Sequence, residues 1–195
     1  MSLRLRRSEI EDFLAQGNKL SQEIIHISEQ RTKGIRDLIE TKELQGQAFE
    51  AAKHVLNEVF LPLNRGFILL SEQLQEANQK VAKYLNELIR NDEIREDILE
   101  EVLSQLRRRQ NDLMAILFDD RPGRWSPKDS SILDVNARSI ETLEEELHLL
   151  RSFDHQIRDV YAEAESTLQT IQRGLKQTSL DSVWDSKGGK FTTAG

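Results

Sequence analysis

Apolar residues recur three and four positions apart over most of the chain, and this spacing is typical of one face of an α-helix. The first such series lies between Ser8 and Lys42 and comprises Ile10, Phe13, Gly17, Leu20, Ile24, Ile27, Ile35 and Leu38. Ser8 followed by Glu11 matches a capping box, in which each side chain satisfies a backbone amide at a helix start. The pattern therefore predicts a first helix over residues 8–42.

A second series predicts a long helix that follows Gly46 and ends near Arg90. Its apolar stripe comprises Phe49, Ala52, Leu56, Val59, Leu63, Phe67, Leu70, Leu74, Ala77, Val81, Tyr84 and Leu88. Pro62 lies within it, and because proline lacks an amide hydrogen we expect a bend there. Gly46 lies where the chain must reverse, so the first two helices are predicted to form a hairpin over residues 8–90.

Two further helices are predicted in the second half of the chain. Asn91 and Asp92 offer a cap for a third helix over residues 92–118. Residues 119–127 contain two prolines and a glycine, which predict an interruption. A fourth helix is predicted over residues 139–173, with Gly174 as its C-cap.

The fourth helix has a regular heptad seam, which predicts packing against another helix. The seam comprises Ile140, Leu143, Leu147, Leu150, Asp154, Ile157, Tyr161, Ala164, Leu168 and Ile171. Asp154 interrupts its apolar character. Two interpretations of this carboxylate stay open. It fixes the helix register or meets a basic side chain of a partner, or else it lies in a frayed or solvated stretch.

Together these patterns predict an all-α, elongated module, in which a long helical hairpin is extended by two further helices into a coiled-coil-like bundle. We expect one helical domain over residues 1–175. Residues 176–195 are rich in glycine and small polar residues, so we expect a flexible linker that leads to a further, C-terminal domain.

The formal net charge of −7 argues against a nucleic-acid partner, which would require an excess of basic side chains. Two short basic clusters, over residues 4–7 and 107–109, indicate either contact with an anionic surface or simply a solvated terminus and a solvated helix face. The chain contains no cysteine. It also has no apolar stretch of about 18 residues, so we expect neither a membrane span nor a Sec signal peptide.

The residues around the predicted hairpin turn carry a family resemblance. Leu44, Gln45 and Gly46 form an L-x-G motif, which is followed by Ala48-Phe49, by Ala51-Ala52-Lys53 and by Val59-Phe60-Leu61-Pro62-Leu63. This arrangement resembles the N-terminal LXG domain of polymorphic toxins that type VII secretion systems export. The resemblance is best over residues 1–90.

The resemblance implies a targeting module that is not itself an enzyme. Such modules pair with small WXG-like helical adaptor proteins encoded beside them, and the assembly is presented to the membrane ATPase of the type VII system. We therefore expect a protein that is secreted after cytoplasmic assembly with its adaptors, and a toxic activity that lies in a separate C-terminal domain. Nothing in the residues indicates a cofactor, a metal or a small-molecule substrate.

The second predicted helix is apolar beyond a narrow seam, which indicates a second neighbour besides its hairpin partner. We predict a partner-binding set that comprises Val55, Phe60, Pro62, Phe67, Ile68, Leu69, Leu85 and Ile89. Coverage by helices of the same chain is the alternative, and the residues do not separate the two.

Tyr161 and Glu165 match the spacing of a Tyr-x-x-x-acidic export signal known in related substrates. Tyr161 also falls on the seam of the fourth helix, where a buried aromatic side chain has a purely structural role. Both interpretations stay open.

Two functions from other classes compete with the targeting module. A structural homodimeric coiled coil would use the same apolar stripes. A di-iron carboxylate enzyme would use Glu-x-x-His pairs, and the chain has two of them, Glu23 with His26 and Glu145 with His148. Their heptad positions flank the seams or face outward, however, so we expect no shared metal site.

Overall fold

The computed structural model describes residues 2–43, 46–117 and 127–177, and the backbone of two short strands at residues 184–185 and 190–191. Within this part of the chain the α-helices are α1 (Arg7–Glu40), α2 (Gln47–Val55), α3 (Leu61–Leu88), α4 (Glu96–Leu117), α5 (Pro127–Ile157) and α6 (Ala162–Gln177). Two antiparallel strand pairs join β1 (Arg4–Arg6) to β2 (Glu93–Arg95), and β3 (Trp184–Asp185) to β4 (Lys190–Phe191). The predicted all-α helical bundle is confirmed.

The chain divides into two compact units, and each is assembled from two separate segments. Unit 1 consists of Met1–Glu11 and Ala82–Arg158, and unit 2 consists of Asp12–Val81 and Asp159–Gly195. The long helices α1 and α3 therefore each contribute residues to both units.

Unit 1 begins with a strand that the apolar pattern did not predict. In the β1–β2 pair, Leu5 lies opposite Ile94, and both side chains are buried. The predicted capping box at the start of α1 is wrong, because α1 begins at Arg7 and Ser8 lies inside the helix. The Glu11 carboxylate instead accepts a 2.9 Å hydrogen bond from Nε of Arg7. The amide of Arg7 donates to the carbonyl of Asp92 at 2.9 Å, which ties the helix start to β2.

The N-terminal residues also complete the start of α4. The amide of Glu96 donates to the carbonyl of Leu3, and the amide of Asp97 donates to Oγ of Ser2, both at 3.0 Å. These bonds replace the predicted cap at residues 91–92, which instead precede β2. Beyond this point α4 packs against α5, and the buried apolar residues of the two helices are Leu99, Leu103, Ile140, Leu150 and Phe153.

The predicted long second helix is interrupted where a bend was expected. A π-helical turn spans Leu56–Phe60, and the amide of Leu61 donates to the carbonyl of Leu56, five residues earlier. Pro62 follows directly, as the second residue of α3. Because a proline ring collides with the carbonyl four residues before it, the wider π turn gives that ring room without ending the helix.

The predicted fourth helix is two helices, one in each unit. α5 ends at Ile157, and α6 begins at Ala162, whose amide donates to the carbonyl of Asp159 at 3.1 Å. Gly174 lies inside α6, so its predicted role as a C-cap is wrong. α6 ends at Gln177, within the segment predicted to be a linker; most of that segment lies outside the described residues.

Ile140 and Leu150 of the predicted α5 seam are buried, but the seam differs from the prediction near its C-terminal end. Phe153 is 3% exposed and lies in the core of unit 1. Asp154, by contrast, is partly exposed and forms a 3.1 Å ion pair with Arg158 one turn later. Its carboxylate is therefore satisfied locally, in agreement with the solvated interpretation.

Unit 2 has a core in which α3 and α6 approach closely. Leu70, Ala164 and Ile171 are buried there, and partly buried apolar residues pack around them, namely Leu63, Phe67 and Leu74. Two glycines allow this approach: a Cβ added at Gly66 would lie 3.1 Å from Ile171, and one at Gly174 would lie 3.3 Å from Leu63.

Candidate docking surface

In unit 2, α1 exposes several large apolar side chains. Three pairs of adjacent residues recur at seven-residue intervals: Phe13–Leu14, Leu20–Ser21 and Ile27–Ser28. In each pair the first side chain is exposed, at 62%, 58% and 46%, and the second is buried, at 6%, 1% and 3%. Neighbouring helical positions point about 100° apart. The first members therefore form an unpartnered apolar stripe beside the buried face, and we call Phe13, Leu20 and Ile27 the α1 stripe.

Besides Leu14, the face that α1 buries includes small and polar residues. Ser21 and Ser28 are buried on it, and a Cβ added at Gly17 would lie 3.0 Å from Nδ2 of Asn78 on α3. Such small side chains let two helices lie close together. The sequence prediction placed the α1 stripe in the hairpin seam, whereas the structure buries the residue that follows each member of the stripe.

A hydrogen-bonded polar group holds α1, α3 and the start of α6 together. Nδ2 of Asn78 donates to Oδ1 of Asn18 at 2.8 Å, and the hydroxyl of Tyr161 donates to Oδ1 of Asn78, also at 2.8 Å. Asn78 is only 3% exposed. Burial raises the pKa of Tyr161 above its ordinary value, so the hydroxyl keeps the proton that it donates.

The candidate export signal, Tyr161 with Glu165, shares Tyr161 with this hydrogen-bonded group. The hydroxyl of Tyr161 is engaged inside unit 2, whereas Glu165 is exposed on α6. The two are joined by an ordinary helical bond, from the Glu165 amide to the Tyr161 carbonyl, at 2.9 Å. The half-buried Tyr161 thus has a packing role, which the sequence left open.

The L-x-G motif is described only at its glycine, since Leu44 and Gln45 lie outside the described residues. Gly46 has φ = +125°, a backbone conformation that other residues rarely adopt. Its carbonyl accepts the amides of Phe49 and Glu50, both at 3.0 Å, at the start of α2. Gly46 therefore lies in a turn, where the sequence predicts that the chain reverses.

Lys53 is a residue of this turn that the apolar pattern did not single out. Its ammonium group donates to the carbonyl of Thr41 at 3.1 Å and lies 5.0 Å from the ring centroid of Phe49. The contact links α2 to the end of α1, so the chain folds back at Gly46. The sequence signal for this contact is Lys53 itself, a basic residue one helical turn after the aromatic residue Phe49.

The structure buries three residues of the predicted partner-binding set and leaves the others exposed or half-buried. Val55, Leu85 and Ile89 are buried at 5%, 1% and 1% within the chain, so their assignment to a docking surface is wrong. Their burial lies within the chain itself, in agreement with the alternative. The remaining members are exposed or half-buried: Phe60, Pro62, Phe67, Ile68 and Leu69.

The N-terminal basic cluster is part of the fold of unit 1. Arg4 and Arg6 both pair with Glu93, at 3.1 Å and 3.4 Å, and the hydrogen bond from Arg4 lowers the pKa of that carboxyl. Arg7 donates to the carbonyl of Ile89 at 2.7 Å. This segment is therefore an ordered strand whose arginines, although exposed, are paired with a carboxylate.

The Glu-x-x-His pairs lie on the surface of their helices. Glu23, His26, Glu145 and His148 are all exposed, and Nε2 of His26 lies 2.8 Å from Nε2 of Gln30. Within the described ranges, no cluster of three or more histidine, cysteine or acidic residues is arranged to hold a metal ion. No helix in that part of the chain has the length and apolar character needed to cross a bilayer.

Comparison with known proteins shows that the chain is similar in sequence to part of a protein named as a toxin. No known family profile matches it. Over its whole length it is 24% identical, across 196 aligned residues, to a Bacillus cereus protein named "Toxin". The chain spans 35% of the length of that protein. It is therefore similar to a portion of a toxin, and the toxin-related part of the expected identity is supported.

Proposed function

We propose that this chain is the targeting module of an LXG-type toxin exported by a type VII secretion system, and that the α1 stripe docks a small helical adaptor protein. The exposed stripe is the observation that carries the proposal. The L-x-G resemblance around Gly46 and the similarity to a Bacillus cereus toxin supply the biological setting.

The spacing of the α1 stripe suits a helical partner. Phe13, Leu20 and Ile27 repeat every seven residues, which is the repeat of a coiled-coil seam, and Leu38 continues the exposed series with 42% of its surface accessible. About half of each side chain remains to be covered, so docking gains on the order of 1 kcal/mol for each one.

In this function the chain performs recognition and no chemistry of its own. The adaptor and α1 together form a composite surface, which the membrane ATPase of the secretion system recognises. The toxic activity belongs to another region of the longer protein. The assembled complex forms in the cytoplasm and leaves the cell through the type VII channel.

A double substitution, Leu20→Asp with Ile27→Asp, tests the proposal. Each change puts a charge on the exposed stripe and removes no buried group, so we expect the melting temperature of the chain to be retained. Co-expression with the small helical proteins encoded by neighbouring genes should give a complex with the wild-type chain and none with the variant. Secretion of the full-length toxin should fall in parallel.

Gln22→Asp is the matched control, because it adds a charge at an exposed position of the same helix outside the stripe. Equal adaptor binding by the control and the double variant would overturn the docking proposal. Light scattering separates the competing scaffold function. A dimer of the isolated wild-type chain that the double variant loses would identify the stripe as a homodimer interface.

A further inference from the structure

Unit 1 has a second apolar surface, which lies in a groove between α4 and α5. The groove has a volume of about 560 Å³. Its apolar lining consists of Val102 and Leu106 from α4 and Val135 and Leu143 from α5. Val135 is 61% exposed, nearly as much as the most exposed residue of the α1 stripe.

The hydroxyl groups along this groove need no outside partner. Oγ of Ser139 donates to the carbonyl of Val135, and Oγ1 of Thr142 donates to the carbonyl of Arg138, both at 2.9 Å. Their hydrogen-bonding protons are therefore used within α5. The groove consequently presents an apolar floor, and its remaining polar character comes from the charged residues along it.

The charged residues along the groove and its continuation are two arginines, Arg138 and Arg109. Arg138 lines the groove, and Arg109 lines its continuation toward Ile132. Both are exposed, and no carboxylate of the described residues pairs with either one. Asn136 also lines that continuation: it is 4% exposed, and its Oδ1 has no hydrogen-bond partner there although its Nδ2 donates to the carbonyl of Leu106 at 2.9 Å.

We propose that the α4–α5 groove binds an amphipathic helix of a partner protein whose apolar residues are flanked by acidic ones. The apolar side chains of that helix lie on Val102 and Val135, where a third helix packs between two others. Its carboxylates pair with Arg109 and Arg138. This surface is separate from the α1 stripe and does not depend on the function proposed for it.

Charge complementarity argues for this occupant over a second copy of the same groove. Two copies facing each other through the groove would bring the arginines of both together, and like charges across an interface are unfavourable. An acidic helix meets them with opposite charge. The resulting binding should weaken as salt is added, because the arginines are exposed and therefore screened.

Two synthetic peptides of about three heptads test the inference, both with leucine at the core positions. One carries glutamate and the other lysine at the flanking positions. With the purified chain, we expect fluorescence anisotropy to show at least about tenfold tighter binding of the glutamate peptide. Equal binding of the two peptides, or no binding of the glutamate peptide, would overturn the inference.

Substitutions locate the binding and keep the test independent of folding. Val135→Asp should weaken binding of the glutamate peptide by about tenfold or more, whereas Leu20→Asp on the α1 stripe should leave it unchanged. The paired reversal Arg109→Glu with Arg138→Glu alters only exposed side chains and should make the lysine peptide the tighter ligand. A preference for the glutamate peptide that survives the reversal would contradict the proposed site.

Discussion

The hydroxyl of Tyr161 donates a 2.8 Å hydrogen bond to Oδ1 of Asn78, a side chain that is 97% buried, since only 3% of its surface is exposed. Tyr161→Phe removes the donor and leaves that acceptor buried and unpaired, so we expect a loss of about 1–3 kcal/mol in the free energy of unfolding. Chemical denaturation measures it. Tyr84→Phe is the matched control, because Tyr84 is half-buried and its hydroxyl has no hydrogen bond to a described residue. It should change stability by less than about 0.5 kcal/mol.

The same variant distinguishes a packing role of Tyr161 from an export signal. Asn78→Ala breaks the same polar group without touching the tyrosine. Under the proposed function, if Tyr161 acts only through packing, secretion of the proposed full-length toxin should fall in both variants in proportion to their loss of stability. A secretion defect in Tyr161→Phe far larger than in an equally destabilised Asn78→Ala would instead establish recognition of the tyrosine itself.

Glu96 should make the stability of unit 1 sensitive to acid. The amide of Leu3 and then the guanidinium of Arg151 hydrogen-bond to its carboxylate, and both lower its pKa below the ordinary value of 4.5. A group whose pKa is lower in the folded state stabilises the fold above its unfolded pKa and loses that contribution as the pH falls through its folded pKa. The stability advantage of the wild type over Glu96→Gln should therefore shrink below about pH 4.5.

Unfolding monitored from pH 7 to pH 2 tests this dependence. Glu141→Gln is the control, because Glu141 is exposed and forms no ion pair with a described residue. The control should keep the acid dependence of the wild type. If Glu96→Gln keeps it as well, the N-terminal contact contributes nothing to acid stability.

Gly46→Val should destabilise the turn between α1 and α2 by about 1–3 kcal/mol, because valine is strained at φ = +125°. Apart from the chain neighbours of Gly46, no atom of the described residues lies within 4 Å of the added Cβ, so the cost comes from the backbone and not from a collision. Gly34→Ala is the control. It also has open space around it, but it lies within α1 at an ordinary φ, and alanine there should stabilise the chain by about 0.5–1 kcal/mol. Thermal unfolding of both variants gives the comparison, and an unchanged midpoint for Gly46→Val would contradict the strain.

Phe153→Ala and Asp154→Ala test the seam of α5. Phe153 is buried in unit 1, and its truncation should cost about 3–5 kcal/mol. Asp154 contributes a solvent-exposed ion pair with Arg158, so its removal should cost less than about 1 kcal/mol. Denaturant titration of the two variants measures the difference. A larger effect at Asp154 would restore the predicted heptad register.

Helix periodicity predicted where most of the chain is helical, but it did not determine which edge of an apolar face is buried. On α1 the apolar arc is wide enough to include both Leu14 and Phe13, and packing decides between them. The choice depended on Gly17, whose missing side chain lets Asn78 approach. That contact joins residues 61 positions apart, so local spacing carries little information about it.

Other features were missed because their causes are also non-local. β1 and β2 are three residues each, and they form by pairing with each other across a long sequence separation. A short sequence pattern does not predict such a pairing. The turn between α5 and α6 contains neither proline nor glycine, so the heptad seam continued through it in the prediction. Gly46 was predictable, in contrast, because a positive φ is a local requirement that glycine meets.

The pairing of β1 with β2 also constrains the order in which the protein folds. Arg4 and Glu93 are 89 positions apart, and closing a loop of that length costs about 4 kcal/mol in chain entropy. The α4–α5 pair joins neighbouring segments and can form far sooner. The N-terminal strand should therefore be the last part of unit 1 to settle as the chain folds, and the first to detach when the chain is pulled from that end.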